Sequence, residues 1–92
     1  MNTSITATEE MWPIDRLKPN PDNARTHPEE QVGLLVGSFT IFGITQPFLV
    51  DENGTILAGH GKYLAALRMG LKEVPVKVLP GLTEIQKRAY LI

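Results

Sequence analysis

Between Pro47 and Arg68 the chain reads PFLVDENGTILAGHGKYLAALR, a stretch that admits few folds. Two apolar runs, Pro47 to Val50 and Thr55 to Ala58, flank Asp51-Glu52-Asn53-Gly54. Asn-Gly supplies the positive φ angles of a tight reversal, so the two runs are expected to pair as a β-hairpin. The second run passes through Gly59-His60-Gly61 directly into an amphipathic stretch with Leu64, Leu67 and Leu71 on one side. That spacing predicts a helix ending at Gly70, with Ala65 and Ala66 letting a neighbour approach closely. A β-β-α unit of this size cannot cover its own apolar faces, so the flanking segments must do so.

Their patterns say how. Met1 to Glu10 is polar and aperiodic, and residues 1–10 are expected to form a frayed arm. Met11 to Ile14 reads as a short first strand, with Trp12 packing against an edge of the sheet. Lys18 to Arg25, KPNPDNAR, carries two prolines, two asparagines and an aspartate, which favour consecutive turns. Thr26-His27-Pro28-Glu29 has the form of a capping box and predicts a helix behind it. Val32, Leu35, Val36, Phe39 and Phe42 would form its buried face, and Gly43 its end. Glu73 to Leu79 alternates Val74, Val76 and Val78 with Pro75 and Lys77, a half-buried strand in which Pro75 marks an edge or a strand start. Thr83-Glu84-Ile85-Gln86 repeats the capping box and launches a last helix toward Ile92. The order strand, loop, helix, hairpin, helix, strand, helix predicts an α+β fold, a small mixed β-sheet packed by helices, in one domain over residues 11–92.

Composition narrows the function. Nine basic residues are scattered among ten acidic ones for a net charge of −1, without the basic stripe by which a domain grips duplex DNA on its own. The chain has no cysteine, which removes disulfides, zinc-thiolate sites and thiol nucleophiles. No apolar run approaches a bilayer span and the start MNTSITATEE lacks the pattern of a signal peptide, so a cytoplasmic location is expected.

Gly59-His60-Gly61-Lys62 is the segment richest in chemistry. Glycines at a strand-to-helix junction let backbone approach an anion, the helix dipole is positive there, and Lys62 adds a charge. Glycines at such a turn also serve plain packing, and the sequence has no full P-loop. Arg25, at a loop-to-helix junction, can fork onto a phosphate or pair with Glu29 or Glu30. Asp51 and Glu52 read as turn and solubility residues at a hairpin tip. His27, Asp22 and Asn23 lack metal-ligand spacing, so no metal site is expected.

Taken in order, "PNPDNART", a helix ending in "FG", "ITQPFLVDENGTILAGHGKYLAALRMG", "VPVKVL" and "LTEIQKRAYLI" resemble the N-terminal domain of the ParB/sulfiredoxin superfamily. The likeness runs from about Met11 to Ile92. It is nearest to the ParB-like domains of partition proteins and of certain phage and bacterial DNA methyltransferases. The ParB segment G-E-R-R-x-R-A aligns with Gly59 to Ala65: Gly59 and Ala65 agree and Lys62 keeps a basic position, while His60 and Gly61 replace an acid and an arginine. Gln46-Pro47 matches a family Q-P that belongs to the nucleotide site, and the loop from Asn20 to Arg25 matches a segment that contacts base and phosphates. The resemblance therefore implies a nucleotide or phosphate site built from Gly59, His60, Gly61, Lys62, Tyr63, Gln46, Arg25 and Asn23. The implied ligand is CTP or ATP with Mg²⁺.

Sulfiredoxins carry G-C-H-R-Y at this junction, and His60 stands at the place of their essential cysteine, which excludes sulfinic acid reduction. A third ParB motif, E-N-x-Q-R, would begin beyond Ile92, so binding is expected more than hydrolysis. The function implied is a regulatory or targeting module of a DNA-associated protein, in chromosome or plasmid partition or with a DNA methyltransferase. DNA would then be reached through other domains. Relatives labelled ParB-like nucleases and a nucleotide-dependent serine kinase make an enzyme the alternative. A pure interaction domain, forming a homodimer through an edge strand or the last helix, is the third reading.

Overall fold

A computed structural model describes residues 8–19 and 28–89 of the chain. Its elements are β1 (Thr8–Pro13), a single 3-10 turn (Ile14–Arg16), α1 (Glu29–Phe42), β2 (Phe48–Val50), β3 (Ile56–Ala58), α2 (His60–Met69), β4 (Glu73–Val78) and α3 (Glu84–Ala89). The strands form one sheet in the order β1-β4-β2-β3, with β4 antiparallel to β1 and parallel to β2, and β2 antiparallel to β3. This is the expected mixed sheet packed by helices.

The hairpin is present, closed by a different backbone from the one anticipated. Gly54 alone has positive φ, at +90°, and Asn53 does not. The Asp51 side chain organises the turn instead: its Oδ1 accepts the amides of Asn53 and Thr55, each at 2.9 Å. Asp51 is 3% exposed, so it is no solubility residue, and its Oδ2 receives Lys87 Nζ of α3 at 3.1 Å. The second capping box is realised in full: Gln86 N donates to Thr83 Oγ1 at 3.1 Å and Thr83 N to Gln86 Oε1 at 2.9 Å. At α1 the cap position is Pro28, and the Glu29 carboxylate pairs with Arg68 of α2 rather than turning back on its own helix. Thr26 lies outside the described residues.

The main core joins both ends of the chain. Trp12, Ile14, Leu17, Phe48, Val50, Ile56, Val74, Val76 and Val78 cluster with Ala66 of α2. Trp12 does lie on the edge strand β1, yet it is buried, with Nε1 donating to Glu10 at 2.9 Å and the Arg16 guanidinium 3.8 Å from the ring centre. A second cluster, Val32, Phe39 and Ala65, joins α1 to α2. A third gathers Leu57, Leu79 and Leu82 beneath the approach to α3.

Four expectations are corrected. β1 begins at Thr8, so residues 8–10 are paired strand rather than arm, whereas residues 1–7 lie outside the described part. Pro75 sits inside β4, an interior strand of the sheet. β2 pairs with β4 only from Val76 onward, so at Pro75 the strand has a neighbour on one side only, and a proline is tolerated there. On α2 the buried face is Ala65 and Ala66, while Leu64 and Leu67 are exposed, because α2 is wedged between the sheet and α1 and only small side chains fit both contacts. Phe42 is 70% exposed instead of in the core, since α1 overruns its contact with α2 by the last turn.

Candidate functional site

The strand-to-helix junction is shaped by Gly59. It caps α2 at φ +113°, and a Cβ built there would lie 3.1 Å from Phe48 Cδ2. Both the backbone angle and the contact with Phe48 call for glycine. Alanine at this position should cost about 2 kcal/mol, read as a lowered urea midpoint with an unchanged slope. A loss below a few tenths would show that Phe48 yields freely.

From Gly59 the chain enters α2 with Tyr63 N donating to Gly59 O at 2.8 Å. Helix starts leave their first amides without intrahelical acceptors and carry positive potential. Lys62, on this first turn, folds back: its Nζ donates to the Gln46 carbonyl at 3.3 Å and stands 5.8 Å from the Phe48 ring centre. Burial holds the Lys62 pKa below its ordinary value. Among the described residues no carboxylate pairs with this ammonium, which leaves it ready to gain from an anion.

An open cleft of about 460 Å³ adjoins this junction, lined by Gln46, Pro47, Leu49, Ala58, Gly59, Lys62 and Lys77. Lys77 was not singled out from the sequence. It is the one cation in the alternating strand β4, out of phase with the buried valines, and that phase is a signal available beforehand. Its neighbours are set by register: Leu49 pairs with Lys77 on one side and with Ala58 on the other, which carries Lys77 across the sheet to the glycine junction.

Of the residues expected to form a site, Gly59, Lys62 and Gln46 meet at this cleft. His60 and Gly61 form the first turn of α2 without lining it, and Tyr63 packs against the main core. Asn23 and Arg25, like Asp22 and His27, lie outside the described residues. Among the described residues two ammonium groups and no carboxylate line the cleft, an arrangement suited to an anion such as phosphate. Among the described residues no three histidine, aspartate or glutamate side chains gather as a metal site.

The chain matches the ParB N-terminal domain over residues 2–92. It is 51% identical over 76 residues to the ParB-like nuclease domain-containing protein YnaK of Escherichia coli K12, covering 83% of this chain and 87% of that protein. It is 42% identical over 73 residues to the chromosome-partitioning protein ParB of Caulobacter vibrioides, covering 72% of this chain but 24% of that one. Among solved structures, a C-terminally truncated ParB from Caulobacter crescentus complexed with CTP-gamma-S superposes with a TM-score of 0.83 at 34% identity, over 92% of this chain and 51% of that one. Sulfiredoxin from Arabidopsis thaliana shares the fold, with a TM-score of 0.75 at 20% identity over 92% of this chain and 98% of the other. The chain thus spans most of YnaK, about half of the truncated ParB and about a quarter of the Caulobacter vibrioides partition protein. With an α+β architecture, a glycine-capped α2 and an identity to YnaK that runs through most of both chains, the protein belongs to the ParB N-terminal domain family.

Proposed function

We propose that the cleft at the start of α2 binds the phosphates of a nucleotide, CTP first among them, and that the chain is a nucleotide-responsive module of a DNA-associated protein. The observation that carries this reading is the convergence of Lys62 and Lys77 on one open cleft at a glycine-capped helix start, with no carboxylate among the described residues of its wall. The similarity to a ParB solved with CTP-gamma-S supports it. A divalent ion would arrive coordinated by the phosphates, because the described wall offers no carboxylate to hold Mg²⁺. Asn23 and Arg25 are proposed as further contacts, with His60, Gly61 and Tyr63 holding the helix start in place.

A related ParB has been solved on the centromeric parS site. In this chain a net charge of −1 argues that DNA is engaged through other domains or partners. The enzymatic reading, a nuclease or phosphotransferase, needs a carboxylate base near the phosphates, which the described lining of the cleft does not provide.

Isothermal titration with CTP, ATP and ADP, with and without Mg²⁺, tests the proposal. Saturable heat with CTP is expected, and Lys62→Ala and Lys77→Ala should each weaken binding roughly tenfold, as loss of a charge-assisted contact does. Absence of heat with every nucleotide would overturn it, and turnover lost in Lys62→Ala would move the chain to the enzymatic reading.

A further inference from the structure

The lysines of the described chain differ in what surrounds their amines. Lys18 and Lys72 are exposed, and Lys87 is bound to Asp51. Lys62 is half-buried on the first turn of α2, where its Nζ donates to the Gln46 carbonyl and, among the described residues, pairs with no carboxylate. It is nevertheless reached from solvent, because it lines the open cleft together with Lys77.

A lysine amine attacks an electrophile only as the uncharged base, and burial already favours that form at Lys62. Its one hydrogen-bond partner is compatible with that form: an uncharged amine keeps an N–H for the Gln46 carbonyl and leaves its lone pair unused. The cleft supplies the second requirement. A recess lined by charge of one sign concentrates small counter-ions, and with Lys62 uncharged Lys77 remains beside it to hold a phosphate.

We infer that Lys62 is a site of acylation by acyl phosphates, the mixed anhydrides of a carboxylic acid with phosphoric acid. The Nζ lone pair attacks the acyl carbonyl carbon, forming a C–N bond. The bond from that carbon to the bridging oxygen breaks, phosphate leaves with the electron pair, and the proton lost from Nζ passes to the departing phosphate. The product suits its surroundings. Its amide N–H still donates to the Gln46 carbonyl, no charge is left to desolvate beside the Phe48 ring, and Pro47, Leu49 and Ala58 offer the acyl group an apolar wall. The inference rests on the reading of the cleft as a phosphate site and adds a means of regulating it, since acylation deletes one of its two cations.

The test is to incubate the whole chain with acetyl phosphate at neutral pH and follow each lysine by peptide mass spectrometry. Lys62 should be acetylated about tenfold faster than the exposed Lys72, the advantage of a desolvated amine in an anion-collecting cleft. The N-hydroxysuccinimide ester of acetic acid, which carries no phosphate, isolates the part played by Lys77. Lys77→Ala should slow acetylation of Lys62 by acetyl phosphate about fivefold more than acetylation by the ester. Lys62 reacting no faster than Lys72 overturns the inference, and so does a Lys77→Ala effect that is the same with both reagents. Heat with CTP but no preference for Lys62 leaves the nucleotide reading standing and this inference refuted. Preferential acetylation that depends on Lys77, without heat from any nucleotide, upholds this inference and confines the cleft to smaller phosphates.

Discussion

Gly54→Ala is expected to destabilise the fold by about 3 kcal/mol, the largest effect of a single methyl group in this protein. Gly54 has φ +90°, already costly for an L-residue, and a Cβ there would fall 2.5 Å from the Arg16 carbonyl oxygen. That oxygen is backbone and cannot rotate away. The segment carrying it is tied to the hairpin on both sides of the turn: Lys18 N donates to Gly54 O at 2.9 Å and Ile56 N to Lys18 O at 2.8 Å. Relieving the overlap means pulling Arg16 to Lys18 off β3 or reopening the turn, and either disturbs Leu17 and Ile56 in the main core. In urea, with a slope of about 1 kcal/mol/M for a domain this small, the midpoint should fall by about 3 M. A loss under about 1 kcal/mol would show that the Arg16 to Lys18 segment moves without the sheet.

Asp51→Ala should cost about 3 kcal/mol, because it orphans two turn amides and leaves Lys87 without its anion. Asp51→Asn should cost less, as an amide oxygen can still accept from Asn53 and Thr55. The two variants separate through pH. Burial alone would raise the Asp51 pKa, but the Thr55 amide, Lys87 and the Asn53 amide outweigh it and hold the carboxyl below its ordinary value. A carboxyl whose folded pKa is depressed stabilises the fold above its unfolded value, near 4, and that stability is lost as pH falls through the lower folded value. The wild-type chain should therefore lose stability on acidification below about pH 4, and Asp51→Asn should flatten that limb. Lys87 has the opposite sign: hydrogen bonding to Asp51 raises its pKa, so its contribution is complete below about pH 10 and is lost as pH climbs through the folded value. Lys87→Met should flatten the alkaline limb. Urea titrations from pH 2 to 11 read both, and an acid limb identical in wild type and Asp51→Asn would refute the role given to Asp51.

Nothing in DENG announces that its aspartate is buried. Asp51 looks like a tip residue until α3 returns from the far end of the chain with Lys87. The same holds for α2, where leucines at helical spacing point to one face and the packing uses the alanines, because two neighbours crowd that side. Lys77 belongs with these cases: its phase on the strand was readable, its destination was not, since the destination depends on β2 pairing with β4 on one side and β3 on the other.

The sequence alone determined the chemistry that acts over three or four residues. Thr83 and Gln86 cap one another, Gly59 starts α2, and the runs around Asp51 to Gly54 pair as a hairpin. Lys62 stood out by its place at a glycine-rich helix start and Gln46 by likeness to ParB, and the structure sets both on the same cleft. Turns and caps are short-range hydrogen-bond problems, solved within the segment that poses them. Strand order, the tolerated Pro75, the buried Asp51 to Lys87 pair and the cleft shared by Lys62 and Lys77 arise only when segments tens of residues apart compete for the same buried surface, and that competition is settled in three dimensions.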